Sequence, residues 1–340
     1  MRYLFWIAPF LSACLHPKAT MNDQVSATEL TEIRLASGTT EVEFLTYGLT
    51  LTRFSIDGET YVVSLPKHAY LGEHPYVGTI VGPVANRIAK GRFVIDGKTF
   101  DVTTNENGNT LHSGPEGFER QVWEVRDVTE TTARFRYRMP NGYQGYPGPL
   151  TVDVTAKVEP GALELVYEAT TERPTPVSLT HHTYFTMPGV DGIDGLDLAI
   201  LAPSITRVDG QLIPTDYADS LELGDPLDFR GAKTIGNTFI DNSFNLGEGP
   251  TTDGLREAVK LYGPMHDLVV TTDLPAVQVY SGEALEGVGL ESRSGIAIEP
   301  QYPPDLINTD RAEDLILRPG EIYRHRIRYA VIPNDELVGN

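Results

Sequence analysis

Arg92-Phe93-Val94-Ile95-Asp96-Gly97-Lys98-Thr99-Phe100-Asp101-Val102 sets an Asp-Gly pair between two short alternating stretches. Alternation of period two turns successive side chains to opposite faces of an extended strand. Asp-Gly supplies the positive φ that a two-residue turn needs, so the stretch is a β-hairpin. Similar bursts run outward from it at Glu32 to Leu35, Val42 to Phe44, Thr50 to Ile56 and Tyr61 to Leu65. Others follow at Trp123 to Val128, Ala133 to Met139, Leu150 to Val158, Ala162 to Ala169 and Leu196 to Ala202, then Val277 to Ser281, Gly295 to Glu299 and Glu321 to Val331. With 32 Gly and 24 Pro spread along 340 residues as turn formers, helices should be few. No fixed-period repeat, heptad or low-complexity block interrupts the pattern. The expectation is one all-β domain over residues 29–340, built of large antiparallel sheets that face each other.

The formal net charge of −20 argues against nucleic acid or an anionic membrane surface as partner, because both repel such a chain within a Debye length of ~8 Å. An uncharged ligand is indifferent to that field. Cys14 is the only cysteine, so no internal disulfide is available. Its setting, Met1-Arg2, an apolar run from Tyr3 to Leu11, then Leu11-Ser12-Ala13-Cys14, resembles a lipoprotein signal. The run falls short of the ~20 residues that span a bilayer as a helix. Residues 1–13 are therefore read as a signal peptide cleaved before Cys14, with Cys14 as the lipid attachment site and 14–28 as a tether. The chain is then exported, periplasmic or membrane-anchored through that lipid alone.

Two segments carry candidate acid–base groups. Glu299 closes the strand Gly295 to Glu299 and opens the turn Pro300-Gln301-Tyr302-Pro303-Pro304-Asp305, a place where a rigid strand aims a carboxylate that a loop leaves accessible. Val177 to Thr186 reads as a second strand bearing His181 and His182, whose side chains must face opposite ways. His181 shares its face with Val177, Leu179 and Phe185, whereas His182 lies with Ser178, Thr180, Tyr184 and Thr186, so His182 is the candidate acid. Divergent histidines disfavour a zinc site, and no Cys or His-Glu-x-x-His pattern supplies other ligands. Asn86 and Arg87 interrupt the small, apolar run Gly78 to Gly91, where a guanidinium suits the gripping of hydroxyls. His112, in Asn109-Thr110-Leu111-His112-Ser113-Gly114, and Asp241, in Phe239-Ile240-Asp241-Asn242, add a further imidazole and carboxylate. Taken singly, each has a structural alternative: a core histidine, a buried ion pair, a turn Asp.

Taken in order, the motifs resemble the aldose 1-epimerase (galactose mutarotase) family from about Glu29 to Pro333. The matching blocks are Ala85-Asn86-Arg87-Ile88, Asn109 to His112 with Gly117-Phe118, Gly145-Tyr146-Pro147-Gly148, His182-Thr183-Tyr184-Phe185 and Asp228-Phe229-Arg230. They continue with Val277 to Gly282, Glu299-Pro300-Gln301 with Pro304-Asp305 and Asn308, and Leu317-Arg318-Pro319-Gly320-Glu321. The resemblance implies a galactose mutarotase-like β-supersandwich, an open cleft and no required cofactor or metal, acting on a monosaccharide as a monomer or weak dimer. Carried over by residue, it makes Glu299 the base and His182 the acid. Arg87, His112 and Asp241 become substrate contacts, with Asn86 a further candidate. The pair is expected on opposite sides of a pyranose, each group near its ordinary pKa, with Asp241 helping to hold the His182 proton. Pro83, His181, Ser113 and Asn242 depart from the family's usual Arg, Asn, Gly and His, which bears on substrate preference. Alternatives are a glycosidase using Glu299 and Asp241, a sugar-binding lipoprotein without turnover, and a hexose-phosphate epimerase.

Overall fold

The structure, a computed structural model, describes residues 30–334 apart from 73, 75 and 250. The expected signal peptide, tether and Cys14 lie outside the described residues. The hairpin at 92–102 forms as read: Arg92–Ile95 pairs antiparallel with Lys98–Asp101, and Asp96 and Gly97 both take positive φ, 51° and 74°. Such a turn matches the twist of its strands.

Among the described residues, strands dominate and the helices are short 3-10 turns. A ten-stranded antiparallel sheet runs in space through Glu124–Val128, Thr132–Met139, Leu150–Glu159, Ala162–Thr171, Tyr323–Pro333, His266–Thr272, Leu255–Tyr262, Asp197–Ile200 and Lys233–Thr234, with Thr251–Thr252 added beside Leu255–Tyr262. A six-stranded sheet orders Tyr184–Phe185, Ile296–Gln301, Ala276–Tyr280, Asp241–Asn245, Ser204–Val208 and Pro214–Ser220. A four-stranded sheet covers Glu32–Ser37 to Glu59–Thr60. One continuous apolar core includes side chains from all three. Where the two larger sheets meet, the Phe185 ring packs on Tyr329 with centroids 4.9 Å apart.

Three local expectations need correction. Tyr61 to Leu65 is not a strand: only Val62 makes a bridge, to Phe185, while the Tyr61 hydroxyl reaches His266 Nδ1 at 3.0 Å. Val177 to Thr186 is not one strand either. Thr180–His181 pairs with Ile80–Val81 and Tyr184–Phe185 with Ile296–Ala297, so His182 stands in the step between two sheets. Nor does Glu299 end its strand. Ile296–Gln301 continues past it, leaving the residue 1% exposed.

Candidate active site

Cross-strand partners share a face of a sheet, and so do residues i and i+2. In the six-stranded sheet Glu299 pairs with Gln278, Tyr280 pairs with both Ala297 and Asp241, and Tyr184 pairs with Ala297. The register therefore puts Tyr184, Glu299, Gln278, Tyr280 and Asp241 on one face. Phe185, of opposite parity to Tyr184, turns into the core.

Over that face lies a cavity of about 260 Å³, lined by these five residues together with His182, Asn86, Arg87, Glu106, Leu111, His112, Tyr76, Ala284 and Phe239. All six residues nominated from the sequence for catalysis and substrate contact line it. Tyr76, Glu106, Gln278 and Phe239 were not nominated. Gln278 was legible only as part of a motif block, and no local pattern marks Tyr76 or Glu106. A larger hollow of about 500 Å³ beside the 92–101 hairpin gathers Asp96, Lys98 and Arg173 but no acid–base pair.

His182 Nε2 lies 3.5 Å from Glu299 Oε1. The two groups are thus neighbours on one side of the cavity, not facing each other across a ring's width. Both are buried, which penalises their charged forms. Burial pushes His182 down to about 3 and raises Glu299 well above the carboxylate range, with the nearby Asp241 adding to the rise and Arg87 opposing it. The expectation of ordinary pKa values is corrected accordingly. Asp241 acts on Glu299 rather than holding the His182 proton. Burial thus disfavours the charged form of both groups.

His112 is held well below its ordinary value as well, first by burial and then by repulsion from neighbouring positive charge, that of Arg87 included. Its Nδ1 accepts the Asn86 N–H at 3.1 Å, which leaves the ring proton on Nε2 as a donor. Histidines do converge here, contrary to the inference from His181 and His182. Ligand atoms of His112, His182 and Glu299 lie within 4.8 Å of one another, close enough to consider a metal. The His112 tautomer opposes one, because Nε2 would have to lose its proton while Nδ1 stays occupied as an acceptor.

Arg87 forms a fork with Glu106: Nε donates to Oε2 at 2.6 Å and Nη2 to Oε1 at 2.9 Å. Nη1 makes no bond to the described protein. Asp241 Oδ1 accepts from Gln278 Nε2 at 2.6 Å, and burial raises the pKa of its carboxyl. Tyr76 stacks on His182, centroids 5.7 Å apart at 25°, and meets His112 edge-on at 4.5 Å, so one ring braces both imidazoles.

Two of the departures from the family pattern, His181 and Ser113, acquire local explanations. His181 is fully buried, with Nε2 bonded to the Leu49 carbonyl at 3.0 Å and Nδ1 to Thr183 Oγ1 at 2.7 Å. Ser113 sits at φ 74°, where glycine is at ease, and its hydroxyl accepts from Val84 N–H at 2.8 Å and donates to Val84 O at 2.9 Å. Asn242 lies within the site sheet opposite Val279. Pro83 follows Gly82, where a Cβ would meet Phe118 at 2.5 Å.

Compared with known proteins, residues 31–330 match the family model described as aldose 1-epimerase. The galactose mutarotase of Rattus norvegicus is 33% identical over 322 residues, covering 86% of this chain and 92% of that protein. The aldose 1-epimerase of Escherichia coli K12 is 32% identical over 77% of this chain and 82% of its own. A GalM/aldose epimerase homologue from C. elegans superposes with TM-score 0.81 at 25% identity, covering 89% of this chain and 99% of that one. The galactose 1-epimerase of Lactobacillus acidophilus gives 0.80 at 26%, covering 89% and 95%. A match that runs through every strand of the site sheet, in chains a third identical along most of their length, leaves one assignment: this chain belongs to the aldose 1-epimerase family, a family of isomerases.

Proposed function

We propose that this chain interconverts the α and β anomers of a free aldohexose such as glucose or galactose by acid–base ring opening and reclosure. The observation that carries this reading is the adjacency of His182 Nε2 and Glu299 Oε1, 3.5 Å apart on one side of the cavity. The two oxygens whose protons must move, the C1 hydroxyl and the ring oxygen, are both bonded to C1. A pair serving them must stand side by side.

Glu299 as carboxylate takes the proton of the C1 hydroxyl, the C1–O5 bond breaks with its electrons passing to O5, and His182 as imidazolium protonates O5. The products are an aldehyde and a C5 hydroxyl. Rotation about C1–C2 and the reverse proton movements close the other anomer. The working pair, carboxylate and imidazolium, differs from carboxylic acid and neutral imidazole only by the passage of one proton from Glu299 to His182. Positive charge on Arg87 favours the resulting carboxylate. His112 Nε2–H and Arg87 Nη1 donate to sugar oxygens, and Asp241 accepts from hydroxyls.

The same geometry favours an uncharged sugar over a hexose phosphate. Arg87 is the one Arg or Lys among the described residues lining the cavity, and Glu106 already holds it in a fork. Polarimetry with fresh α-glucose and α-galactose tests the reading. The protein should speed relaxation, and Glu299→Gln and His182→Asn should each lower kcat by ~10²-fold or more. A fully active Glu299→Gln protein would remove the base from the mechanism.

From residues 1–14 we infer export and lipid attachment at Cys14. Expressed from the full chain, the protein should fractionate with membranes, and Cys14→Ser should release it. An unchanged distribution would refute the anchor.

A further inference from the structure

The acid step asks a buried histidine to carry charge. Burial pushes His182 down to about 3, and positive charge on His181 or His74 would push it further, so a neighbour that prefers the imidazolium to the neutral ring is needed. Glu299, 3.5 Å away, is one such neighbour when it is a carboxylate. His112, with its ring centroid 5.4 Å from that of His182, is itself held well below its ordinary value and supplies no such preference. Two phenol rings also pack on the imidazole: Tyr76, with centroids 5.7 Å apart at 25°, and Tyr184, at 4.9 Å and 37°. Burial raises both hydroxyls above their ordinary value and keeps them protonated. An aromatic face carries negative charge density and attracts a cation within about 6 Å, an attraction that a neutral imidazole feels far less.

The backbone holds Tyr76 against that histidine. The Gly78 N–H donates to the His182 carbonyl at 2.9 Å, and the His182 N–H donates to the Thr79 carbonyl at 2.8 Å. The Thr79 N–H and hydroxyl both donate to the Tyr76 carbonyl at 3.1 Å. The turn that presents the ring is therefore bonded to the residue on which the ring packs. Tyr76 sits at φ 57° and Gly78 at 66°, where a Cβ on Gly78 would meet the Leu51 carbonyl oxygen at 2.5 Å. A bulky residue in the left-handed region is strained and persists only where its surroundings fix it, as they do at sites that must aim a side chain.

We propose that Tyr76 is a positioning residue for the acid step: its ring aims the His182 imidazole and steadies the positive charge which that imidazole carries while it protonates the ring oxygen of the sugar. Tyr184 adds a second ring to the same charge. The proposal rests on the anomer-exchange reading above. Its effect belongs in kcat rather than KM, because the charge is needed for the proton transfer and not for holding the sugar.

Polarimetric kinetics with fresh α-glucose test it. Tyr76→Leu, which keeps bulk without an aromatic face, should lower kcat by about 3- to 30-fold, the range of one cation–π contact, at a nearly unchanged KM. Tyr76→Phe keeps the face and should lose least. Three fluorines on the ring introduced by Tyr76→Phe drain its negative face with almost no change of size, and should take kcat most of the way to that of Tyr76→Leu. A kcat indifferent to fluorination, or a loss carried by KM, overturns the inference alone. No acceleration by the unsubstituted protein overturns the reading beneath it as well.

Discussion

Backbone strain is present in the cavity lining and directly beside it. Asn86, His112 and Ser113 hold φ of 62°, 49° and 74°, a region that costs a non-glycine residue about 1 kcal/mol or more. At Ser113 two hydrogen bonds to Val84 offset it, which explains how a serine serves where the family pattern has glycine. Gly117 is needed for space rather than conformation: a Cβ there would meet Glu119 Oε2 at 2.3 Å and the His112 carbonyl at 2.7 Å. The Glu119 carboxyl so enclosed is raised by burial to about 8, with Arg120, 4.0 Å away, opposing the shift. Since the folded pKa lies above the unfolded one, its contribution to stability is full below about pH 4.5 and is lost as pH rises through about 8. Glu119→Gln keeps the neutral shape without the titration. Its unfolding free energy should gain on the wild type between about pH 4.5 and 8, by up to ~1.4 kcal/mol per unit of pH, and no further above that. Parallel loss in both proteins, followed by denaturant titration, would show that Glu119 titrates normally.

Elements as short as two residues do the positioning. Tyr184–Phe185 pairs with Ile296–Ala297, setting Tyr184 against the cavity and Phe185 against Tyr329. The parity rule that separated His181 from His182 survives although their common strand does not. One ring is saturated in the core and the other lines the cavity. Phe185→Ala should cost about 3–5 kcal/mol, since it empties a fully buried ring site where two sheets meet. It would appear as a lower denaturant midpoint at unchanged slope, and an unmoved midpoint would contradict the packing described. Leu255–Tyr262 was not legible as a strand, because Leu, Glu, Ala and Lys there serve a helix equally well. Its neighbours Asp197–Ile200 and His266–Thr272 decide the matter.

Across the whole molecule, the last described strand, Tyr323–Pro333, lies between Ala162–Thr171 and His266–Thr272 and so joins the two halves of the large sheet. The cavity in turn draws on residues from Tyr76 to Glu299, far apart along the chain. Sequence by itself determined the all-β class, the 92–102 hairpin and the residue types able to move protons or grip hydroxyls. Those follow from period-two alternation, turn chemistry and ordered motifs, all of which act over a few residues or are read as pattern. Only the tertiary structure decided that His182 and Glu299 stand 3.5 Å apart, that Glu106 engages Arg87, and that His112 carries its proton on Nε2. The pKa directions of the acid–base pair belong with these. Each depends on burial and on a partner brought from a distant segment, and desolvation has no local signature in an amino-acid sequence.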